Sequence, residues 1–362
     1  MAKILILCID GLGPAYLDAS PTPTIDRMAA EGTLTIGQSV IPSVTNVNNV
    51  SIITGVPPSL HGITSNYMLD VYTGQETYME SVEFLCYPSA ISRAKALGMT
   101  TAVVTAKQKL LQLVGKDADL TLCAENPPSD MVSKVGIVGD IYSPDINLWL
   151  LRALRVLLRE RDPDLVYCAT TDGMMHKYGP DQEASIRHIQ GLDAILGQIL
   201  EDDPDRKIYL TADHGMSDKH WGVDLERVLS AQQIRARAIP IIKDRYVVHH
   251  GNLGGASYVY LHPEVLPDAI AILGEAPGVE AVYPRREAAR HFDLMAERIG
   301  DLLVLADADT VFGSFQEARV DVQLRSHGSR HESSVPILAY GGSSGGHYCY
   351  NYEVVAHLGL GQ

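Results

Sequence analysis

The sequence has few cysteines, no long apolar run and too few basic residues to balance its acidic ones. Its five cysteines form no Cys-x-x-Cys pair, so neither a disulfide framework nor a thiolate metal site is indicated. No stretch approaches the roughly 18 consecutive apolar residues of a membrane helix. The apolar N-terminal stretch ends at Asp10 and is too short for the core of a signal peptide. We therefore expect a soluble, cytoplasmic protein.

The charge balance limits the partners of the protein. Lys and Arg together number 29, whereas Asp and Glu number 44, which gives a formal net charge of −15 at pH 7. An acidic surface repels nucleic acid and anionic membranes, so we expect neither as a partner. If the substrate is an anion, a local feature must overcome this field. Metal ions can do so, and the 13 histidines are a source of ligands for them.

The pattern of elements predicts an α/β fold. A length of 362 residues suggests about two domains or one large one. Short apolar runs rich in β-branched residues alternate with helical patterns, which is typical of a mostly parallel sheet between helices. The predicted strands are Ile4–Ile9, Thr101–Thr105, Leu165–Ala169, Lys207–Thr211, Leu302–Leu305 and Val335–Ala339. The predicted helices of this part are Thr24–Glu31, Pro144–Arg161 and Ala184–Leu200.

Residues 221–298 have a different pattern. They contain a short helix (Leu225–Gln233), a glycine-rich turn (Gly251–Gly255), a strand (Ser257–Leu261) and a second helix (Pro267–Leu273). We predict that they form a smaller α+β cap insertion, and that residues 1–220 and 299–362 form the catalytic core.

Acidic residues and histidines follow three of the predicted strands. Asp10 follows the first, Asp172 and His176 follow the third, and Asp213 and His214 follow the fourth. Ligands of open α/β sheets bind at the carboxyl ends of the strands, so these side chains are expected at one edge. Each could be a turn or cap residue on its own. Together, carboxylates and imidazoles indicate a site for zinc, manganese or iron.

A candidate nucleophile lies in the segment from Pro42 to Asn49. Pro42 and Ser43 suggest a turn, after which Thr45 begins a helical pattern. The N-terminus of a helix favours an anion, and a metal ion activates a coordinated hydroxyl as a nucleophile. On the local sequence alone, Ser43 or Thr45 is better interpreted as a helix cap.

These stretches resemble the alkaline phosphatase superfamily, in its nucleotide pyrophosphatase/phosphodiesterase branch, and within that branch the phosphonoacetate hydrolases. The matching segments run in family order to about Ile337: the Asp10 turn, Pro42–Asn49, Pro57–Tyr67, Thr101–Leu110, Asp172–His176, Asp213–Gly215, Tyr246–Gly251 and Arg325–Ser329. The metal motifs are specific for the superfamily. The Thr-Asn-x-Asn-Asn and Thr-Ala-Lys-x-Lys segments narrow the resemblance to the phosphonoacetate hydrolases.

The resemblance implies a site for two divalent metal ions, normally zinc, with manganese or iron as alternatives. It implies two groups of ligands, Asp172, His176 and His327 for one ion, and Asp10, Thr45, Asp213 and His214 for the other. His331 competes with His327 for the last position. His327 is preferred because the His-Gly-Ser sequence matches the family motif.

The resemblance also implies contacts with the substrate. They are assigned to Thr45, Asn66, Lys107, Lys109 and His327, with Asn66 donating to a phosphoryl oxygen and the lysines holding a carboxylate. The two lysines face the same way if the chain stays extended. Without the resemblance they would be interpreted as surface residues. His249 and His250 are left unassigned.

The expected function is hydrolysis of the carbon–phosphorus bond of phosphonoacetate to acetate and phosphate, through a phosphothreonine at Thr45. The first alternative is a phosphodiesterase or nucleotide pyrophosphatase that uses the same two-metal site. The second is a non-catalytic or phosphomutase-like relative that keeps the fold. The expected partner is a small phosphonate or phosphate ester, and a homodimer is left open.

Overall fold

Strands and helices alternate along most of the chain. The structure, a computed structural model, describes residues 3–70, 73–342 and 348–360, and at His249 the backbone alone. Its strands are β1 (Ile4–Cys8), β2 (Thr33–Gln38), β3 (Tyr67–Leu69), β4 (Glu76–Tyr78), β5 (Thr101–Thr105), β6 (Leu120–Cys123), β7 (Leu165–Ala169), β8 (Lys207–Thr211), β9 (Ser217–Val223), β10 (Ala236–Pro240), β11 (Ala256–Leu261), β12 (Val279–Pro284), β13 (Leu302–Ala306), β14 (Thr310–Phe312), β15 (Arg319–Ser326) and β16 (Ser334–Tyr340).

The helices complete the list of elements. They are α1 (Pro14–Ala19), α2 (Pro23–Glu31), α3 (Thr45–Thr54), α4 (Pro58–His61), α5 (Ala90–Ala96), α6 (Gln108–Val114), α7 (Ser129–Val135), α8 (Ile146–Arg161), α9 (Gly173–Lys177), α10 (Glu183–Asp202), α11 (Leu225–Ser230), α12 (Val247–His250), α13 (Leu266–Gly274), α14 (Arg285–His291) and α15 (Glu353–Ala356). Short 3-10 turns occur at Val82–Phe84, Pro263–Val265, Ala296–Arg298 and Arg330–Glu332.

The central sheet has seven strands in the order β2-β16-β8-β1-β7-β5-β6. The five strands from β8 to β6 are parallel. At one edge, β16 runs antiparallel to its neighbours β8 and β2, so β2 has the same direction as the five parallel strands. This confirms the expected α/β architecture with a mostly parallel sheet. The segment predicted as Val335–Ala339 is β16, and it runs against its neighbour β8.

Burial on both faces explains the apolar strands at the centre of this sheet. All five residues of β1, β5 and β7 are buried, as expected for strands covered by helices on both sides. The long helices α8 and α10 pack against each other through their apolar faces. Helix α8 ends at Arg161, and its C-cap residue Asp162 adopts a left-handed φ of 47° just before Pro163. Among the described residues, no helix combines the length and apolar character needed to cross a membrane.

A second sheet is antiparallel, with the strand order β10-β11-β13-β12. It has an apolar cluster of its own, to which α11 and α13 contribute Leu229 and Leu273. Strand β13 corresponds to the predicted strand Leu302–Leu305, which we had expected in the central sheet. That placement was wrong, because β13 pairs with β11 and β12. The second sheet therefore extends beyond residue 298, and the division into core and insertion is kept as a proposal.

A third sheet of three strands joins two loops of the central sheet. Its order is β14-β9-β15, and β9 and β15 are antiparallel with Ser217 opposite Ser326. Strand β9 begins shortly after His214, and β15 ends directly before His327. This pairing therefore brings the loop that carries His327 to the carboxyl edge of the central sheet.

Candidate metal centre and active site

Three adjacent parallel strands deliver the predicted acidic residues to one edge. Strand β1 lies between β8 and β7, and Cys8 at its end pairs with Thr211 on one side and Ala169 on the other. The loops that follow carry Asp10, Asp213 and Asp172. Since the three strands end at the same level, their loops meet above the sheet.

Two clusters of buried ligands form there. One contains Asp172, His176 and His327, and the other contains Asp10, Asp213 and His214. In each cluster the potential ligand atoms lie within 4.8 Å of one another. The rings of His214 and His327 stack with their centroids 3.5 Å apart, so the two clusters adjoin. The competing residue His331 lies elsewhere, where its ring contacts Glu280.

The three histidines share one orientation. Nδ1 of His176 lies 2.7 Å from the carbonyl oxygen of Arg325, Nδ1 of His214 lies 2.9 Å from that of Gly215, and Nδ1 of His327 lies 2.8 Å from that of Ser43. A carbonyl only accepts, so each Nδ1 carries the proton. Nε2 of each ring is then the atom available to a metal ion.

Burial and mutual repulsion raise the pKa values of two of these carboxyl groups. Burial, with the neighbouring carboxylates of Asp172 and Asp213, raises the pKa of Asp10 well above its usual range. Burial, with Asp172, also raises the pKa of Asp213 to about 6. Neither oxygen of Asp10 accepts a hydrogen bond from the described part of the chain. A divalent cation in each cluster would supply the missing charge and ligand contacts, so these residues fit the expected metal ions.

Thr45 is the first residue of α3 and lies beside the second cluster. Its Oγ1 is 3.4 Å from Nε2 of His214. Asn49, one turn further along, donates from Nδ2 to the Thr45 carbonyl and to Oδ2 of Asp213, both at 2.9 Å. The hydroxyl of Tyr167 donates to Oδ1 of Asn49 at 2.6 Å. Asn49 had no predicted role, although its position four residues after Thr45 puts both on one helical face.

Asn66 lies next to the start of α3. Its Oδ1 accepts the backbone N–H of Asn46 at 3.3 Å, and its Nδ2 donates to the carbonyl of Ile242, also at 3.3 Å. The side chain is buried. Asn66 is thus held beside the residue that follows Thr45, with a second amide hydrogen available for a ligand.

The two lysines converge in a way that the sequence did not predict. The chain does not stay extended, because Lys107 precedes α6 and Lys109 lies within its first turn. Both residues are nevertheless buried, at 4% and 3% exposure. Lys107 Nζ is 3.0 Å from Oδ1 of Asp172 and 3.8 Å from Oδ2 of Asp10. Lys109 forms an ion pair with Asp244.

The segment around Asp244 was not singled out as a lysine partner. The ring of Tyr246 lies 5.6 Å from Lys107 Nζ and 5.3 Å from Lys109 Nζ. Of the two unassigned histidines, His250 contacts Asp244, whereas the side chain of His249 lies outside the described residues. The signal in the sequence was the matching segment Tyr246–Gly251, to which no role was assigned.

Arg325 connects the loops of the first cluster. Its guanidinium donates to the carbonyls of Met175 at 2.9 Å and Met216 at 3.2 Å, to the Tyr16 hydroxyl at 3.2 Å and to Asp218 at 2.5 Å. Since its own carbonyl orients His176, Arg325 holds this loop from both its main chain and its side chain.

The α/β fold and the paired clusters above its carboxyl edge agree with the sequence resemblance, and the comparisons with known proteins show the class to be hydrolases of the alkaline phosphatase superfamily. The profile of the family "Type I phosphodiesterase / nucleotide pyrophosphatase" matches residues 4–331. The chain therefore belongs to the type I phosphodiesterase/nucleotide pyrophosphatase family, as the resemblance indicated.

Solved structures show the same relationship. A phosphonoacetate hydrolase from Sinorhizobium meliloti 1021, in complex with phosphonoformate, is 34% identical with a TM-score of 0.86, and the match covers 93% of this chain and 89% of that one. A murine ectonucleotide pyrophosphatase/phosphodiesterase 5 in complex with AMP has a TM-score of 0.72 over 99% of this chain and 95% of that one. At 17% identity it shows the fold alone.

Curated relatives share part of the sequence. A venom phosphodiesterase from Naja atra is 26% identical over 229 residues, or 59% of this chain. The ectonucleotide pyrophosphatase/phosphodiesterase family member 1 of Homo sapiens is 24% identical over 230 residues, also 59% of this chain. The matches span 26% of the length of the venom enzyme and 23% of that of the human protein.

Proposed function

We propose that this protein hydrolyses the carbon–phosphorus bond of phosphonoacetate and releases acetate and phosphate. The observation that carries the proposal is a buried pair of lysines. Lys107 contacts Asp172 and Asp10 of the two clusters, and Lys109 lies near the same tyrosine ring as Lys107. Two ammonium groups close to a phosphonate site suit a substrate that carries a carboxylate next to its phosphonate. The 34% identity to an enzyme named phosphonoacetate hydrolase supports the same substrate.

The proposed metal ions are two divalent cations, with zinc the preferred one for mixed carboxylate and imidazole ligands. Asp172, His176 and His327 would hold one ion. Asp10, Asp213 and His214, with the Thr45 hydroxyl, would hold the other. When bound, the ions would neutralise the phosphonate oxygens and lower the pKa of the Thr45 hydroxyl.

In the first step, Oγ1 of Thr45 forms a bond to phosphorus as the carbon–phosphorus bond breaks. The electron pair of the broken bond moves to the methylene carbon and is delocalised into the carboxylate as an enolate. The Thr45 hydroxyl loses one proton and the methylene carbon takes up one, which gives acetate. Asn66 would donate to a phosphoryl oxygen throughout, because its amide is fixed beside the start of α3.

Lys107 and Lys109 would bind the carboxylate and stabilise the charge that develops on it. This charge grows in the transition state, so the lysines contribute to the rate as well as to binding. In the second step, water hydrolyses the phosphothreonine, which restores Thr45 and releases phosphate.

The test is phosphate release from phosphonoacetate by the zinc-loaded protein. We expect turnover by the wild type, loss of turnover with retained zinc for Thr45→Ala, and trapping of a threonyl phosphate in the wild type alone. Lys107→Ala should lower kcat/KM, whereas Lys116→Ala, an exposed lysine after α6, should not. Full activity of Thr45→Ala would contradict the assignment of the nucleophile.

A second candidate function is phosphodiester or nucleotide pyrophosphate hydrolysis at the same site. The family match to type I phosphodiesterases favours it. Cleavage of bis-p-nitrophenyl phosphate, compared with phosphate release from phosphonoacetate, separates the two. If this second function is correct, ester cleavage should be much faster than phosphate release from phosphonoacetate.

Three further expectations stay predictions from the sequence. They are the cytoplasmic location, the homodimer, and the division into a core of residues 1–220 and 299–362 with a cap insertion of residues 221–298. Size-exclusion chromatography with light scattering tests the homodimer.

A further inference from the structure

Lys109 is held by a residue of the second part of the chain. Its Nζ forms an ion pair with Oδ2 of Asp244, and each side chain is only 3% exposed. The two residues are 135 positions apart in the sequence. An ammonium group buried to this extent needs a partner, so Asp244 determines where the charge of Lys109 lies.

Asp244 is in turn fixed by its own segment. Nε2 of His250 lies 2.9 Å from its Oδ1, and Nδ1 of His250 accepts the backbone N–H of Asn252, also at 2.9 Å. Because Nδ1 is an acceptor, Nε2 carries the proton and donates to Asp244. Oδ1 of Asp244 also accepts the N–H of Tyr246 at 2.7 Å. The carboxylate thus has one oxygen for Lys109 and one for its own segment.

The same segment contacts the beginning of α6 at a second point. The hydroxyl of Tyr246 donates to Oε2 of Glu125 at 2.7 Å. That oxygen also accepts the backbone N–H of Gln108 at 2.7 Å, between the two lysines. Residues 244–252 therefore hold both the side chain of Lys109 and the backbone next to it.

The two ammonium groups lie against one aromatic ring. Lys107 Nζ is 5.6 Å and Lys109 Nζ is 5.3 Å from the centre of the Tyr246 ring. The ammonium of Lys109 has three N–H donors and uses one on Asp244, so others are available to a ligand at a defined position.

We propose that Asp244, oriented by His250, is the positioning residue that holds Lys109 for the carboxylate of the substrate. This inference rests on the proposed function, because it assumes a substrate with a carboxylate. It assigns to residues 244–252 the discrimination between a phosphonate that carries a carboxylate and plain phosphate.

The experiment measures binding in the zinc-loaded Thr45→Ala protein, in which turnover does not interfere. Calorimetry gives Kd for phosphonoacetate and for inorganic phosphate. Asp244→Asn should raise the Kd of phosphonoacetate about 10- to 100-fold, as expected for a lost charge-assisted contact. The Kd of inorganic phosphate should change by no more than about threefold. Asp268→Asn makes the same change on the exposed side of α13 and should alter neither.

Two further comparisons test whether Asp244 acts through Lys109. In a Lys109→Met background, Asp244→Asn should have little additional effect on the Kd of phosphonoacetate. His250→Gln keeps an N–H donor and should retain more affinity than His250→Ala. The His250 pair also provides the test if Asp244→Asn does not fold.

The outcomes separate the two proposals. If Asp244→Asn weakens the binding of both ligands equally, Asp244 has a merely structural role. If phosphonoacetate binds as tightly as before or more tightly, Asp244 only opposes the anion. Either result overturns the inference, as does a Thr45→Ala protein that binds phosphate with no preference for phosphonoacetate. Failure of the wild type to release phosphate from phosphonoacetate overturns the proposed function alone, because the ratio of the two Kd values is measured independently of turnover.

Discussion

Glu332→Gln tests a buried ion pair that supports the loop of His327. Oε1 of Glu332 accepts from Lys219 Nζ at 2.8 Å and from the Ser217 hydroxyl, and Oε2 accepts from the N–H and hydroxyl of Ser329 at 3.1 and 2.8 Å. The side chains of Lys219 and Glu332 are both 0% exposed. A glutamine keeps only one acceptor oxygen, so its NH₂ group must face donors, and the charge of Lys219 is left without its counter-ion.

The magnitude follows from this burial. Removing one partner of a buried pair costs about 3–5 kcal/mol, since the remaining charge is still desolvated. We expect Glu332→Gln to lower the free energy of unfolding by about this amount. Adding Lys219→Met should restore part of the loss. With the ammonium gone, the NH₂ group can point at the Ser217 hydroxyl, which can rotate to accept.

The assay is urea unfolding of the wild type, Glu332→Gln and the double variant, with the exposed substitution Glu264→Gln as a control.

Burial opposes ionisation of Glu332, but Lys219 and the hydroxyls of Ser217 and Ser329 outweigh it and lower the pKa of Glu332 below its usual value.

A lowered native-state pKa fixes the sign of the pH dependence. The stabilisation is complete above the unfolded-state pKa of about 4.3 and is lost as the pH falls through the lower native-state pKa. The difference between wild type and Glu332→Gln should therefore be largest near neutral pH and shrink under acid conditions. A difference below about 1 kcal/mol at neutral pH would refute the reasoning, as would one that does not shrink in acid.

Three other changes address the metal centre. Removing metal ions with a chelator should abolish activity and lower Tm, and added zinc should restore both. Tm falls because a ligand that binds only the native state stabilises that state. An unchanged Tm would contradict this prediction. Asn49→Ala removes the donor shared by Thr45 and Asp213, so kcat should fall about 10- to 100-fold while zinc is retained. Phosphate release and metal analysis measure these two quantities. A kcat equal to that of the wild type would contradict the role of Asn49. Arg325→Met frees the loop of His176, so zinc affinity should fall about 10- to 100-fold in a chelator competition, and an unchanged affinity would argue against this role.

Strands with a clear local signal were predictable. Strands β1, β7 and β8 are short apolar runs, each followed by an acidic residue, and α8 and α10 have the apolar stripe of a packed helix. Their local preferences agree with their final environment. The four adjacent strands β8, β1, β7 and β5 and the loops that carry the acidic residues therefore followed from the sequence, whereas the edge strands β2 and β6 were not among the predicted strands.

The sequence pattern did not predict to which sheet β13 belongs or in which direction β16 runs. The run Leu302–Ala306 is buried along its whole length, as are the central parallel strands, so periodicity does not distinguish them. Only its pairing with β11 and β12 places it in the second sheet. Likewise, β16 has no local feature that indicates its antiparallel direction, which depends on the neighbour it meets.

The lysine pocket shows the same limit at the level of side chains. Lys243, Asp244 and Arg245 are three consecutive charged residues, a pattern typical of an exposed loop. Asp244 is buried because Lys109, distant in sequence, forms its ion pair. Contacts of this range depend on the complete fold.

The orientation of the three histidines that we propose as metal ligands has a consequence for variation in this protein. Their Nδ1 partners are carbonyls of Ser43, Gly215 and Arg325, and every amino acid has a carbonyl. A substitution at any of these three positions therefore keeps the acceptor as long as the backbone stays in place. The tautomer of each imidazole therefore depends on the position of the loop backbone and not on the identity of the side chain at the acceptor residue. A substitution such as Arg325→Met changes it only by displacing the loop.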